Sequence, residues 1–274
     1  MNQSYKFVAI DADGTLLDIN RNITQRNKTA IQKATALGVK IVLCSGRSYH
    51  SLRFFADELG LKTKGNYVIA FNGGMILNAH TNAVLYETKI EQTLAKEIVT
   101  AAKPFSPAAA TLVYRDMSHL IINPGIPNAD LYLESSRANP IYAEDINSEI
   151  TGDVQKVLIA GHTADLQAPA AFLTKQFTGR CNMMFSGPYL FECNELHTTK
   201  SSGIQTLCQM LGISMSETIA IGDNFNDVSM IQAAGLGVCM ANGEAEVKAK
   251  ADYVTANDCN NSGVAEVLEK FILQ

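Results

Sequence analysis

Short apolar runs alternate with helical stretches over the first eighty residues and again after Lys200, a pattern that calls for a parallel sheet with right-handed crossovers. "KFVAI" precedes a helix that Thr24 is expected to cap, with Ala30, Ile31, Ala34 and Leu37 on its apolar side and Gly38 ending it. "VKIVLC" follows, then a helix after Ser48 with Tyr49, Leu52, Phe55, Ala56 and Leu59 at helical spacing, then "NYVIAF". From about Met75 the character changes. A hairpin is expected around Asn78–Asn82, and "ATLVYRD" and "SHLIINP" read as antiparallel neighbours. Helical stretches near 91–103, 127–137 and 163–177 are interspersed with the strands "VQKVLIAG", "CNMMFSG" and "YLFECN". Beyond Lys200 the alternation resumes, through "TIAIG", "GVCM" and "DYVT", to a closing helix over Ser262–Leu273. The chain therefore reads as an α/β core, residues 1–81 and 189–274, interrupted by an inserted α+β module at 82–188.

Composition excludes several functions. A chain of 274 residues that is 47% hydrophobic can bury a full core, and a net charge of -5 without Lys/Arg runs gives no footprint for nucleic acid. No segment approaches the roughly 20 apolar residues that span a bilayer, and "MNQSYKFVAID" lacks the basic flank of a signal peptide, so no membrane partner and a cytoplasmic location are expected. The six cysteines are scattered, forming neither a CxxC site nor a compact disulfide framework, and the five histidines show no HxH or HExxH pattern. "GLGVCMANG" fails as a dinucleotide fingerprint because Met240 occupies the third glycine position.

Four polar sites fall where the alternation would gather them. In "FVAIDADGTLLD", Asp11 and Asp13 follow the first strand; Ser45 in "CSGR" follows the second; Lys200 opens a helix; and "GDNFND" (222–227) follows "TIAI". Ligands of parallel α/β sheets bind beyond the carboxyl ends of the strands, so these residues can share one crevice. Two carboxylates so close repel each other, and a bound cation is the commonest compensation. The set suits phosphoryl transfer: Asp11 and Asp223 would supply hard oxygen ligands to Mg2+, while Lys200 and Ser45 hold phosphoryl oxygens.

"DADGT", Ser45, Lys200 and "GDNFND", in this order, resemble the four motifs of the haloacid dehalogenase superfamily. The large insert, with "SGR", "FNGG" and "GDNFNDVSM", resembles its Cof-type, type IIB-capped phosphatases. The resemblance implies a Rossmann-like core with an α+β cap that sets substrate specificity. It implies Asp11 as the nucleophile that forms an aspartyl-phosphate and Asp13 as general acid, then base. Mg2+ would be held by the carboxylates of Asp11 and Asp223 and the backbone carbonyl of Asp13. Ser45, the Gly46 backbone, Lys200 and Asn226 would contact phosphate; Gly14 would permit the tight turn, and Thr15 would fix that loop. Asp227 is open between capping a helix and orienting Lys200 or a metal-bound water, and "FNGG" between a hinge facing the site and a common turn. Many relatives carry Gly directly after the lysine, where this chain has Ser201–Ser202 before Gly203. The expected activity is hydrolysis of a small phosphorylated metabolite, foremost a sugar phosphate. A phosphohexomutase of the same superfamily and a non-catalytic sugar-phosphate sensor are the alternatives, the sensor being marked by a lost Asp11 or Asp13. The oligomeric state is open.

Overall fold

The computed structural model describes residues 5–63, 65–106, 108–123, 132–133, 136–187 and 189–274. Its strands are β1 (Phe7–Ile10), β2 (Lys40–Cys44), β3 (Tyr67–Ala70), β4 (Met75–Asn78), β5 (Val84–Glu87), β6 (Ala109–Tyr114) and β7 (His119–Ile122). They continue as β8 (Asn139–Tyr142), β9 (Lys156–Gly161), β10 (Cys181–Gly187), β11 (Leu190–Glu195), β12 (Thr218–Gly222), β13 (Leu236–Cys239) and β14 (Tyr253–Val254). Two compact units result: Met1–Gly46 with Leu52–Tyr86 and Thr199–Gln274, and Arg47–Ser51 with Glu87–Thr198.

The first unit holds an eight-stranded sheet in the order β14-β13-β12-β1-β2-β3-β4-β5. The pairings from β14 to β3 are parallel, and β4 turns back antiparallel on β3. All four residues of β1 are fully buried, as befits a strand covered on both faces. On one face the helix Lys200–Leu211 packs Ile204, Leu207 and Cys208 against a cluster containing Phe7, Ala9, Val42 and Ala220. The helix Gln25–Ala36 begins as the sequence predicts, with the Thr24 hydroxyl accepting from Asn27 N–H, and it buries Ala30, Ile31 and Ala34. Leu37 departs from expectation. It is the C-cap, where the helix ends, and is 65% exposed; Gly38, at φ 86, then turns the chain away.

The second unit holds a six-stranded sheet ordered β10-β11-β9-β6-β7-β8, antiparallel except between β7 and β8. One face, through Val113, Val157, Phe191 and Cys193, packs on Ile98 and Leu173 of the helices Gln92–Ala102 and Thr163–Phe177. Strand β8 was not legible in the sequence: its Pro140 speaks against a strand, and it is tolerated because β8 is an edge. The helix expected at 127–137 lies largely outside the described residues.

Alternation along β6, β9, β11 and β10 sends polar groups to the sheet's other face. Tyr114 stands opposite Lys156, and Asn194 opposite Asn182. The Lys156 ammonium is buried 3.0 Å from Glu192, whose second oxygen accepts from the Ser186 hydroxyl at 2.6 Å. Burial lowers the Lys156 pKa, and the Glu192 carboxylate opposes that shift. Asn194 is fully buried, with neither end of its amide hydrogen-bonded among the described residues.

The boundaries between the units differ from those expected at 81/82 and 188/189. Strand β5 sits beside β4 in the first sheet, and β11 pairs with β9 and β10 in the second, so the chain leaves the first unit at Tyr86 and re-enters it at Thr199. Sequence patterning marks where strands lie but not which sheet recruits them.

Lys156→Met would remove the ammonium that faces the buried Glu192 carboxylate and should destabilise the protein by about 3–5 kcal/mol. The double variant Lys156→Met/Glu192→Leu should recover most of that loss; chemical denaturation of both variants checks this.

Candidate active site

The loop after β1 is shaped by its backbone. Asp11 N–H extends the ladder to Ile221 O at 3.0 Å, and the chain then turns, with Leu16 and Leu17 N–H donating to Ala12 O at 3.1 and 2.9 Å. Ala12 is buried in the core, away from the loop surface. Gly14 has φ 72, and a Cβ there would lie 2.4 Å from Asp223 Oδ2, so both conformation and space exclude a side chain. Asn242 Nδ2 donates to Gly14 O at 2.7 Å, and Thr15, fully buried, donates its hydroxyl to Asp223 Oδ1 at 2.7 Å.

Lys200 comes to the same point from the start of its helix. Thr199 caps that helix, its hydroxyl accepting from Ser202 N–H while the Ser202 hydroxyl accepts from Thr199 N–H. Ser202 thus closes a capping box with Thr199, which accounts for the second serine after Lys200. The ammonium lies 2.6 Å from Asp11 Oδ1 and 2.5 Å from Asp227 Oδ1, with all three side chains buried. Asp227 Oδ2 accepts from the backbone N–H of Asp223 at 2.9 Å and of Asn224 at 3.0 Å. Asp227 therefore caps the turn and holds Lys200 at once, and the two roles left open for it coexist.

Asp11, Asp223 and Asp227 bring one carboxylate oxygen each within 4.8 Å of one another. Burial works against the Lys200 ammonium, but the charges of Asp11 and Asp227 outweigh it and raise its pKa. Burial also raises the pKa of Asp11, with Lys200 opposing and Asp227 adding to the shift. Asp223 is raised by burial and then by Asp227 and Asp11. Three carboxylates around one ammonium carry negative charge in excess, which a divalent cation would offset. The donor set fits a hard cation: among the described residues Asp223 Oδ2 carries no hydrogen bond and Asp11 is tied through Oδ1 alone, whereas both oxygens of Asp227 are engaged.

The structure brings Asp11, Gly14, Thr15, Lys200, Asp223 and Asp227 into one contact network. Register places Asp11 level with Cys44, so Ser45 stands at the neighbouring strand end. Ser45 O accepts from Asn72 N–H at 3.0 Å, and Asn226 Nδ2 donates to Asn72 Oδ1 at 3.3 Å. A Cβ on Gly46 would lie 2.9 Å from that same oxygen. Ser45, Gly46 and Asn226 are therefore joined through Asn72, which sequence reading had not assigned to the site. The Asp13 residue is exposed, and its carboxylate is not part of the acidic cluster.

Residues 8–268 match the haloacid dehalogenase-like hydrolases. The Bacillus subtilis protein YxeH is 34% identical over 273 residues, covering 98% of this chain and 99% of that one. The 5-amino-6-(5-phospho-D-ribitylamino)uracil phosphatase YcsE of the same organism is 27% identical, over 98% and 96% of the two chains. Among solved structures, a haloacid dehalogenase-like hydrolase from Bacteroides thetaiotaomicron superposes with a TM-score of 0.87 at 29% identity, covering 97% of this chain and 99% of its own.

Asp223→Asn keeps an acceptor for Thr15 and removes one of three crowded charges. In metal-free buffer above pH 8, where Asp223, its pKa pushed up to about 8, is ionised, it should raise Tm by roughly 2–4 °C for each kcal/mol of repulsion relieved, measured by thermal denaturation.

Proposed function

Because the chain belongs to the haloacid dehalogenase-like hydrolases, we propose that it is a Mg2+-dependent phosphatase of small phosphate monoesters, foremost sugar phosphates, acting through an aspartyl-phosphate. The observation that carries this reading is the buried Lys200 ammonium shared by Asp11 and Asp227 beside Asp223. One oxygen of Asp11 is tied to Lys200 and the other is open, so the carboxylate is oriented for attack by Oδ2.

In the proposed reaction Asp11 Oδ2 bonds to phosphorus as the ester oxygen leaves, and Asp13 gives that oxygen its proton. Exposure suits Asp13 to this work, since it must exchange protons with both alcohol and water. Water then attacks phosphorus, Asp13 takes its proton, and Asp11 is released with inorganic phosphate. Lys200, Ser45, the Gly46 backbone and Asn226 hold the phosphoryl oxygens throughout. Asp223, the Asp13 carbonyl and the Asp11 oxygen not used in attack would hold Mg2+, which when bound lowers the repulsion between phosphate and carboxylate.

The preference for sugar phosphates is supported by the similarity to YcsE, whose named substrate carries a phosphorylated ribityl chain. The reading includes a cytoplasmic location, consistent with six free cysteines, all buried. No helix among the described residues is long and apolar enough to cross a membrane.

Asp11→Asn should abolish phosphate release while leaving the circular dichroism spectrum unchanged; steady-state turnover in that variant would remove Asp11 from the nucleophile role. Asp13→Asn should slow hydrolysis of a sugar phosphate by about a hundred- to ten-thousandfold and of an activated aryl phosphate by less. Chelation should remove activity reversibly, and Ca2+ should restore it poorly compared with Mg2+. In a panel of phosphorylated metabolites, hexose and pentitol phosphates should be hydrolysed with a higher kcat/KM than nucleotides.

A further inference from the structure

The segment Phe71–Gly73 holds three consecutive residues in the left-handed region, at φ 51, 55 and 102. Gly73 takes this conformation freely, but Phe71 and Asn72 do not, and both are completely buried. Such strain persists only where surrounding contacts over-determine it, and it gathers at functional sites. The contacts here reach three separate segments. Asn72 N–H donates to Ser45 O, and Asn72 Oδ1 accepts from Asn226 Nδ2 while lying against Gly46. A Cβ on Gly73 would fall 2.0 Å from Thr199 O, the cap of the helix that begins with Lys200. One short turn is thus fitted against the loops after β2 and β12 and against the start of the lysine helix.

We infer that Asn72 is a positioning residue of the phosphate site, acting through Asn226 and the Ser45–Gly46 loop. The inference rests on reading Ser45, Gly46 and Asn226 as phosphate contacts. Asn72 Oδ1 can only accept, so it holds the Nδ2 end of Asn226 toward the Ser45–Gly46 side. One N–H of that amide is used in this bond, and among the described residues the other is left for a phosphoryl oxygen. Asn226 Oδ1 is shut off from solvent without a partner, so no other hydrogen bond of this side chain sets its orientation. Without Asn72 the carboxamide would be free to turn, and its donor would no longer be pre-aimed.

The test uses the full-length enzyme with Mg2+, p-nitrophenyl phosphate as substrate and inorganic phosphate as competitive inhibitor. Asn72→Gly keeps the left-handed backbone without steric cost and removes only the amide, so it separates the side chain's role from the turn's conformation. It should weaken the Ki of phosphate by about fivefold or more, as should Asn226→Ala. In the double variant Asn72→Gly/Asn226→Ala the losses should not multiply, because removing the orienting group costs nothing further once the oriented group is gone. A purely structural role would lower Tm equally in both backgrounds and leave the Ki losses independent. Losses that multiply, or an unchanged Ki in Asn72→Gly, overturn the inference. An unchanged Ki in Asn226→Ala overturns it together with the assignment of Asn226 to phosphate, while wild-type enzyme that fails to release phosphate from the substrate overturns the functional reading itself.

Discussion

The candidate active site depends on one buried cation. The Lys200 ammonium could not stay charged in its fully buried position without the two carboxylates that flank it, and a lone charge buried there would cost far more than the pair. The geometry that follows is strict. Asp227 must accept from the lysine with one oxygen and from two backbone N–H groups with the other, which fixes the turn after β12. Asp11 must offer one oxygen to the lysine, which fixes the rotation of the other. Gly14 and Gly222 follow from the same crowding, since a Cβ at either would lie 2.4 Å from an atom of the acidic cluster.

Much of this was legible because each element announces itself locally. An apolar run ending in Asp-x-Asp-Gly marks a covered strand and a turn, and the alternation before Met75 and after Lys200 marks a parallel sheet. The capping of the first helix by Thr24 and its end at Gly38 were equally plain. What escaped depended on partners far away in sequence. Whether "VLYE" and "YLFECN" join one sheet or the other is decided by pairing energy between remote strands, so the edges of the insert could not be read from composition. Leu37 lay on the apolar stripe by periodicity, but the stripe ends where the helix does. Asn72 was missed for a different reason: Phe-Asn-Gly-Gly also describes an ordinary turn, and only three dimensions show which loops press on it.

The two units solve the burial of charge differently. In the second, Lys156 faces one oxygen of Glu192, and a serine donates to the other. In the first, carboxylates outnumber the ammonium, an imbalance that lowers stability and that a bound cation would offset. The same covalent groups thus serve a closed network in one place and an open one in the other, and the difference lies in which oxygens are left without a donor.

The pairing of β1 bears on how such a chain is made. Lys200 reaches Asp11 across 189 residues of sequence, and β1 lies between β2 and β12, the latter a strand that is synthesised long after it. As the chain emerges from the ribosome, β2 can pair with β1 early, but the other edge of β1 stays open until almost the whole protein has been translated. Asp11 is among the first residues made, and the lysine that pairs with it is among the later ones. A truncated or stalled chain therefore carries Asp11 without its counter-charge, so the site is assembled late in synthesis.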